Sequence, residues 1–113
     1  MSLATDARQL LAALKMMVTA LEQYADDNRA VLTRRWAKQL RPLVEAFEDC
    51  VIQQRDRIQA ATVLEEIAPL VHAVGAASTK GEMPLFAETD DIMNTCLDLE
   101  PIFRESRYRH ERL

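Results

Sequence analysis

Four basic side chains stand close together in the first half of the sequence, with no acidic residue between them: Arg34, Arg35, Lys38 and Arg41. On an α-helix, Arg34, Lys38 and Arg41 share one face, because residues three and four positions apart are neighbours. A basic face of this kind can contact the phosphates of RNA or DNA. The sequence therefore predicts a binding site for a nucleic acid or a protein partner at these residues.

The same basic face has two other interpretations. It can be a solvated surface on which Arg41 pairs with Glu45 four residues later. It can also dock an acidic partner, or the acidic segment 82–100 of this chain. Because the net charge is −4, the chain has no overall basic field that would attract a nucleic acid. Nucleic-acid binding is therefore kept as an alternative function.

The two histidines of the chain invite comparison with two families. His72 lies in a predicted helix, as in histidine phosphotransfer domains, but Gly75 occupies the position where that family has a lysine. Arg104 and His110 are separated by five residues, and this spacing resembles the Arg–His motif of HEPN-type endoribonucleases, which are small all-α proteins. The resemblance implies a HEPN-like endoribonuclease as a further alternative, although Glu105 is not the residue type which that family favours after its arginine.

The remaining residue patterns support no other chemistry. The acidic segment 82–100 lacks EF-hand spacing, and the chain has no Glu-x-x-His pair, no glycine-rich phosphate loop and no Cys-x-x-Cys. Cys50 and Cys96 are far apart, so we expect two small core residues in a reducing compartment, with a single disulfide as the alternative and no zinc site. We predict no metal, no cofactor and no catalytic residue.

Helices are the elements that must position these side chains. Apolar residues recur every three or four positions from Ala4 to Ala25, as on the buried side of an α-helix. A second apolar stripe keeps its phase across Pro42, which predicts one long helix over 28–57 with a kink at the proline. The alternative is two helices that divide near Leu40. The residues expected to hold the fold are Leu11, Leu14, Val18, Leu21, Trp36 and Phe47.

Capping and breaking residues predict the later boundaries. Thr62 and Glu65 form a capping box, which predicts the start of a third helix, and Gly75 predicts its end. Segment 78–88 is predicted as a loop. A short helix is expected to begin at Thr89.

The end of the chain completes the predicted fold. Pro101 is expected to open a last helix, followed by a frayed tail over 104–113. These elements predict an all-α bundle of four to five helices, folded as one domain over 1–113.

The apolar content predicts that part of the surface contacts another chain. Hydrophobic residues make up 49% of the sequence, and Met16, Val31 and Ile52 lie off the main stripes. We therefore expect a small non-enzymatic interaction protein, namely a regulator, adaptor or assembly subunit that forms a homodimer. The basic face and the 78–88 loop are its expected contact surfaces. Without a long apolar run or a signal-peptide pattern, we expect a cytoplasmic protein that does not bind membranes.

Overall fold

The computed structural model describes residues 3–53, 57–79 and 89–105. Within these residues all regular structure is α-helical, and no strand is present. The four helices are α1 (Leu3–Asn28), α2 (Val31–Ile52), α3 (Arg57–Thr79) and α4 (Thr89–Arg104). The all-α class is confirmed, and the arrangement fits a helical bundle.

The first two helices form an antiparallel pair. Lys15 on α1 lies 2.5 Å from Glu48 on α2, while Asp26 near the end of α1 lies 3.2 Å from Arg34 near the start of α2. Early positions of one helix therefore face late positions of the other. A two-residue connection joins them, and in it Arg29 has a positive φ of 50°.

The last two helices form a second antiparallel pair. Glu65 in the first half of α3 pairs with Arg104 at the end of α4, whereas Gly75 near the end of α3 lies beside Thr89 at the start of α4. Further contacts between α2 and α3 and between α1 and α4 join the two pairs around a common core. The four helices therefore follow one another around the core in the order α1, α2, α3 and α4.

The core contains the residues that the apolar stripes predict. Leu14, Val18 and Leu21 are fully buried, Leu11 is buried, and Trp36 packs against the core as a half-buried side chain. At the centre, the rings of Phe47 on α2 and Phe103 on α4 lie 6.5 Å apart, centroid to centroid.

Three prolines lie inside helices without ending them, namely Pro42 in α2, Pro69 in α3 and Pro101 in α4. Each is exposed to solvent. A proline has no N–H, so the carbonyl four residues earlier loses its usual intrahelical donor. The carbonyls concerned belong to Lys38, Glu65 and Leu97. Since these residues are also exposed, water can replace the lost donor.

The structure gives different boundaries for α1 and α2 from those predicted. Asn28 still belongs to α1, and α2 covers Val31–Ile52 rather than 28–57. The continuous form of the predicted second helix is correct, because α2 passes through Pro42 as one element. The bend expected at Pro42 stays a prediction.

The predicted capping box is wrong. α3 begins at Arg57, and Thr62 lies inside it, where its hydroxyl donates to the carbonyl of Ile58 at 3.0 Å. Gly75 does not end the helix either, since α3 continues to Thr79. A hydroxyl can bond to the preceding helical turn as well as to the backbone at a helix start, so the Thr62–Glu65 pattern does not distinguish the two positions.

The two segments predicted as irregular are partly helical. Residues 78 and 79 belong to α3, and residues 80–88 of the predicted loop lie outside the described residues. Pro101 opens no separate helix, because α4 runs through it to Arg104. The rest of the predicted tail, apart from Glu105, also lies outside the described residues.

Candidate interaction surfaces

Two of the four predicted basic residues are bound to α1. Arg34 donates from Nη2 to the carbonyl of Ala25 at 3.3 Å and to the carboxylate of Asp26 at 3.2 Å. Arg41 donates from Nε to Glu22 at 3.1 Å, and its Nη2 donates to the other carboxylate oxygen. A two-point contact of this kind fixes the guanidinium in one orientation. Much of the predicted binding face therefore holds the first two helices together.

The charge of Arg41 is stabilised where it lies. The hydrogen bond to Glu22 raises the pKa of Arg41, partial burial opposes that rise, and the negative charges of Glu22, Glu45 and Glu48 add to it. The predicted pairing of Arg41 with Glu45 is thus replaced by a hydrogen-bonded pair between helices. The carboxylate of Glu22 on α1 approaches the Arg41 guanidinium more closely than the carboxylate of Glu45 on α2 itself.

The other two predicted basic residues, Arg35 and Lys38, are exposed, and no ion pair within the described parts of the chain includes them. They follow two exposed apolar residues at the start of α2, Val31 at 75% and Leu32 at 42% of their full accessible surface. This α2 surface, formed by Val31, Leu32, Arg35 and Lys38, is both apolar and basic. Side chains with these properties favour contact with an acidic, partly apolar surface.

The structure also reveals a groove of about 330 Å³ between α3 and α4. Its apolar lining includes Leu64, Ala68 and Cys96, while Glu65 and Glu100 add carboxylates. The remaining lining residues are Pro69, His72, Met93 and Leu97. Sequence reasoning missed this α3/α4 groove, because it depends on how two distant helices are placed side by side.

Leu97 is the clearest exposed apolar residue at the groove. Its side chain is 55% accessible, although its apolar character alone would place it on the buried side of the short helix that begins at Thr89. The buried positions of α4 are instead Thr89, Ile92, Cys96, Leu99 and Phe103. Leu97 directly follows Cys96, which is fully buried, and therefore faces about 100° away from it around the helix.

Arg104 bridges the two carboxylates of the groove. It donates to Glu65 at 2.8 Å from Nη2 and to Glu100 from Nε. The hydrogen bond to Glu100 raises the pKa of Arg104. The resemblance to HEPN-type endoribonucleases requires Arg104 together with His110, which lies outside the described residues. The arginine of that pattern is already engaged by two acidic groups of its own chain.

His72 is exposed at the side of the α3/α4 groove. The nearest ionisable residue on its helix face is Glu65, two turns earlier on α3. Gly75 lies close to α4, since a Cβ placed on it would be 3.3 Å from Oγ1 of Thr89. The lysine of histidine phosphotransfer domains would therefore stand at a point of close helix contact here. Because position 75 is a glycine and not a lysine, it supplies no positive charge to balance a phosphoryl group on His72.

A second groove, of about 470 Å³, lies between α1 and α4 and contains three acidic residues, Asp6, Asp91 and Asp98. Among the described residues, no group of three His, Cys, Asp or Glu side chains has the arrangement of a metal site. Asp90 and Asp91 lie in the first turn of α4, where the helix dipole favours negative charge. The acidity of Asp91 therefore has a local structural role.

Both cysteines are free and buried. They thus occupy the core, as predicted from their apolar surroundings. Burial raises the pKa of the Cys96 thiol from 9.0 to about 12, because the charged thiolate is costly away from water. A thiol with so high a pKa is a poor nucleophile near neutral pH.

Within the described residues, one helix is long and apolar enough to span a membrane by length and composition, and it is α3 over Arg57–Ser78. The expectation that the chain does not bind membranes stays a prediction. Leu64, Ile67 and Val71 on this helix are fully buried in the common core. Since the core helix of a soluble protein passes the same test, the finding is weak evidence for a membrane span.

Comparison with known proteins adds no functional assignment. The chain matches no protein-family model, no curated protein and no solved structure. The function must therefore be argued from the α2 surface, the α3/α4 groove and the other exposed apolar residues.

Proposed function

We propose that this chain is a small non-enzymatic interaction protein, a regulator, adaptor or assembly subunit that acts through helix-mediated protein contacts and forms a homodimer in the cytoplasm. The observation that carries the proposal is the exposure of large apolar side chains on three of the four helices described. These are Met16, Val31, Leu32, Ile52 and Leu97. Exposed apolar side chains beside polar ones are typical of surfaces that another protein covers.

Two further observations support this function over an enzymatic one. Arg104, the arginine of the HEPN-like pattern, is bound to Glu65 and Glu100. The buried thiol of Cys96 has a raised pKa, so it is unsuited to nucleophilic catalysis. Two buried free thiols also suit a reducing compartment such as the cytoplasm.

Light scattering after size-exclusion chromatography tests the homodimer. We expect a mass near twice the chain mass of 12.9 kDa at micromolar concentrations, falling on dilution. Met16→Glu, Ile52→Glu and Leu97→Glu, each made separately, identify the apolar residue that another copy covers. Gln9→Glu is the matched control, because it adds the same charge at an exposed polar position on α1, away from the α2 surface. A single-chain mass at high micromolar concentration would exclude the homodimer.

Nucleic-acid binding remains the second candidate, because Arg35 and Lys38 are exposed cations without an ion pair in the described part of the chain. Fluorescence anisotropy with a labelled RNA or DNA duplex at low salt tests it. This function requires binding that weakens as salt is added and that Arg35→Glu with Lys38→Glu abolishes. No binding at low salt would remove this candidate.

A HEPN-like ribonuclease is the further alternative. It requires that the chain cleave RNA and that Arg104→Ala and His110→Ala each abolish cleavage while the helical circular-dichroism signal is retained. Cleavage that survives both substitutions, or no cleavage by the unmodified chain, would exclude it.

A further inference from the structure

The α3/α4 groove offers hydrogen-bond acceptors in addition to its apolar lining. The carboxylates of Glu65 and Glu100 lie at the groove. Pro69 and Pro101 remove the usual intrahelical donors of the Glu65 and Leu97 carbonyls, both of which belong to groove residues. Arg104 binds the two carboxylates but neither of the two carbonyls. A ligand that suits the groove therefore carries N–H donors as well as apolar groups.

The charge of α3 and α4 makes a basic ligand favourable. Together the two helices carry six acidic residues and two basic ones, and one of the basic residues, Arg57, is buried. The acidic residues are Glu65, Glu66, Asp90, Asp91, Asp98 and Glu100. Of these, Glu65 and Glu100 line the groove, at the end away from His72, whereas Asp90 lies near Gly75 outside the lining. One end of the groove is therefore acidic.

The α2 surface has the complementary composition. Among the four helices, α2 alone has more basic than acidic residues, and all four of its basic residues lie in its first half. Arg34 and Arg41 are engaged with α1, which leaves Arg35 and Lys38 available beside Val31 and Leu32. The α2 surface thus presents apolar side chains and N–H donors together.

The two surfaces also agree in length. From residue 31 to residue 38, α2 rises about 10 Å, at about 1.5 Å per residue. The α3 side of the groove, from Leu64 to His72, rises about 12 Å by the same measure. Two turns of helix therefore match the length of the groove.

We propose that the first two turns of α2 in one copy of this chain dock into the α3/α4 groove of a second copy. Val31 and Leu32 cover the apolar lining around Leu97, while Arg35 and Lys38, which follow them on α2, approach the acidic end at Glu65 and Glu100. The proposal rests on the self-association proposed above and names the surfaces that carry it. In a homodimer the contact is made twice about a two-fold axis, since the α2 surface of each copy meets the groove of the other.

Two variants separate the partners of this contact. Arg35→Glu with Lys38→Glu reverses the charge of the α2 surface, and Leu97→Lys places a cation in the groove. All three positions are exposed, so the helical circular-dichroism signal should be retained. The controls on α1 are Thr19→Lys, which adds the same charge as Leu97→Lys, and Arg8→Glu, which makes one of the two charge reversals, both at exposed positions.

Analytical ultracentrifugation of each variant, alone and mixed, tests the proposal. We expect each docking variant alone to dissociate at least tenfold more readily than the unmodified chain, and both controls to associate normally. Mixing the two docking variants should restore two-chain complexes, because the unmodified α2 surface of the Leu97→Lys variant can dock into the unmodified groove of the other variant. Association of the unmodified chain should also weaken several-fold when salt is raised.

The outcomes distinguish this proposal from the more general one. If the unmodified chain associates but neither docking variant weakens it, or if mixing restores nothing, the docking surfaces are wrong and the homodimer stands. If the unmodified chain stays monomeric at all concentrations, the homodimer is wrong as well. If the Thr19→Lys control weakens association as much as Leu97→Lys does, the assignment of the groove is also wrong.

Discussion

Phe103 provides a direct test of how α4 joins the bundle. Its side chain is fully buried, and its ring lies 6.5 Å from the ring of Phe47 at an angle of 59°. Phe103→Ala removes a buried aromatic ring and leaves a cavity, which costs about 3–5 kcal/mol. Chains of this size typically have a total stability of roughly 6–17 kcal/mol. The substitution should therefore remove a large share of the free energy of unfolding.

Urea unfolding followed by circular dichroism measures this loss. A loss of about 3 kcal/mol or more corresponds to a fall in Tm of roughly 12 °C or more for a domain of this length. Leu97→Ala is the control, because it shortens an exposed side chain on the same helix and should change stability by no more than about 0.5 kcal/mol. If Phe103→Ala proves too unstable to purify, Phe103→Leu provides a milder substitution with a smaller loss.

A double-mutant cycle isolates the contact between the two rings. Phe47→Ala, Phe103→Ala and the double variant should give a coupling free energy of about 0.5–1.5 kcal/mol, as expected for a tilted aromatic pair. A loss below about 1 kcal/mol for Phe103→Ala would contradict full burial of this ring, because a cavity of that size cannot form so cheaply. The packing of α4 against α2 would then need to be revised.

Three further predictions concern the helix contacts and the buried thiol. Gly75→Leu should lower the free energy of unfolding by about 1–3 kcal/mol in urea titrations, because a side chain there meets Thr89. A double-mutant cycle on Glu22 and Arg41 should give a coupling of about 0.2–1 kcal/mol that diminishes in 1 M salt, since both side chains are partly exposed. For Cys96, the folded-state pKa of about 12 exceeds the ordinary 9.0, so the unfolded chain loses its proton first as pH rises. The stability due to the neutral thiol is therefore complete below pH 9 and is lost towards pH 12. Between these pH values, the free energy of unfolding should fall more steeply for the unmodified chain than for Cys96→Ala in unfolding titrations.

The basic residues of α2 show how tertiary contacts divide a sequence pattern. In the sequence, Arg34, Arg35, Lys38 and Arg41 form one group without intervening acids. In the fold, Arg34 and Arg41 face α1 and bind its carboxylates and a carbonyl, whereas Arg35 and Lys38 face solvent. The helical period places Arg34 and Arg41 on one side, but only the position of α1 makes that side an interhelical contact.

The helix ends were predicted less well than the helices themselves. Thr62 and Gly75 have the residue types of a start and a stop, yet both lie within α3. Gly75 is accounted for by the close approach of α4, because a side chain there would crowd Thr89. Pro101 lies within α4 and is exposed, so the carbonyl that loses its donor can be hydrated. Burial and neighbouring helices, which a local pattern does not contain, decide these positions.

The sequence by itself determined the helical class and the sides of α1 and α2 that are buried. Leu14 and Leu21 lie in the core and Met16 is exposed, because the 3.6-residue period fixes the direction of each side chain once a helix forms. The tertiary structure alone decided the α3/α4 groove and the pairing of Arg41 with Glu22. Both depend on distances between residues far apart in the chain, and helical periodicity carries no information about how separate helices are placed.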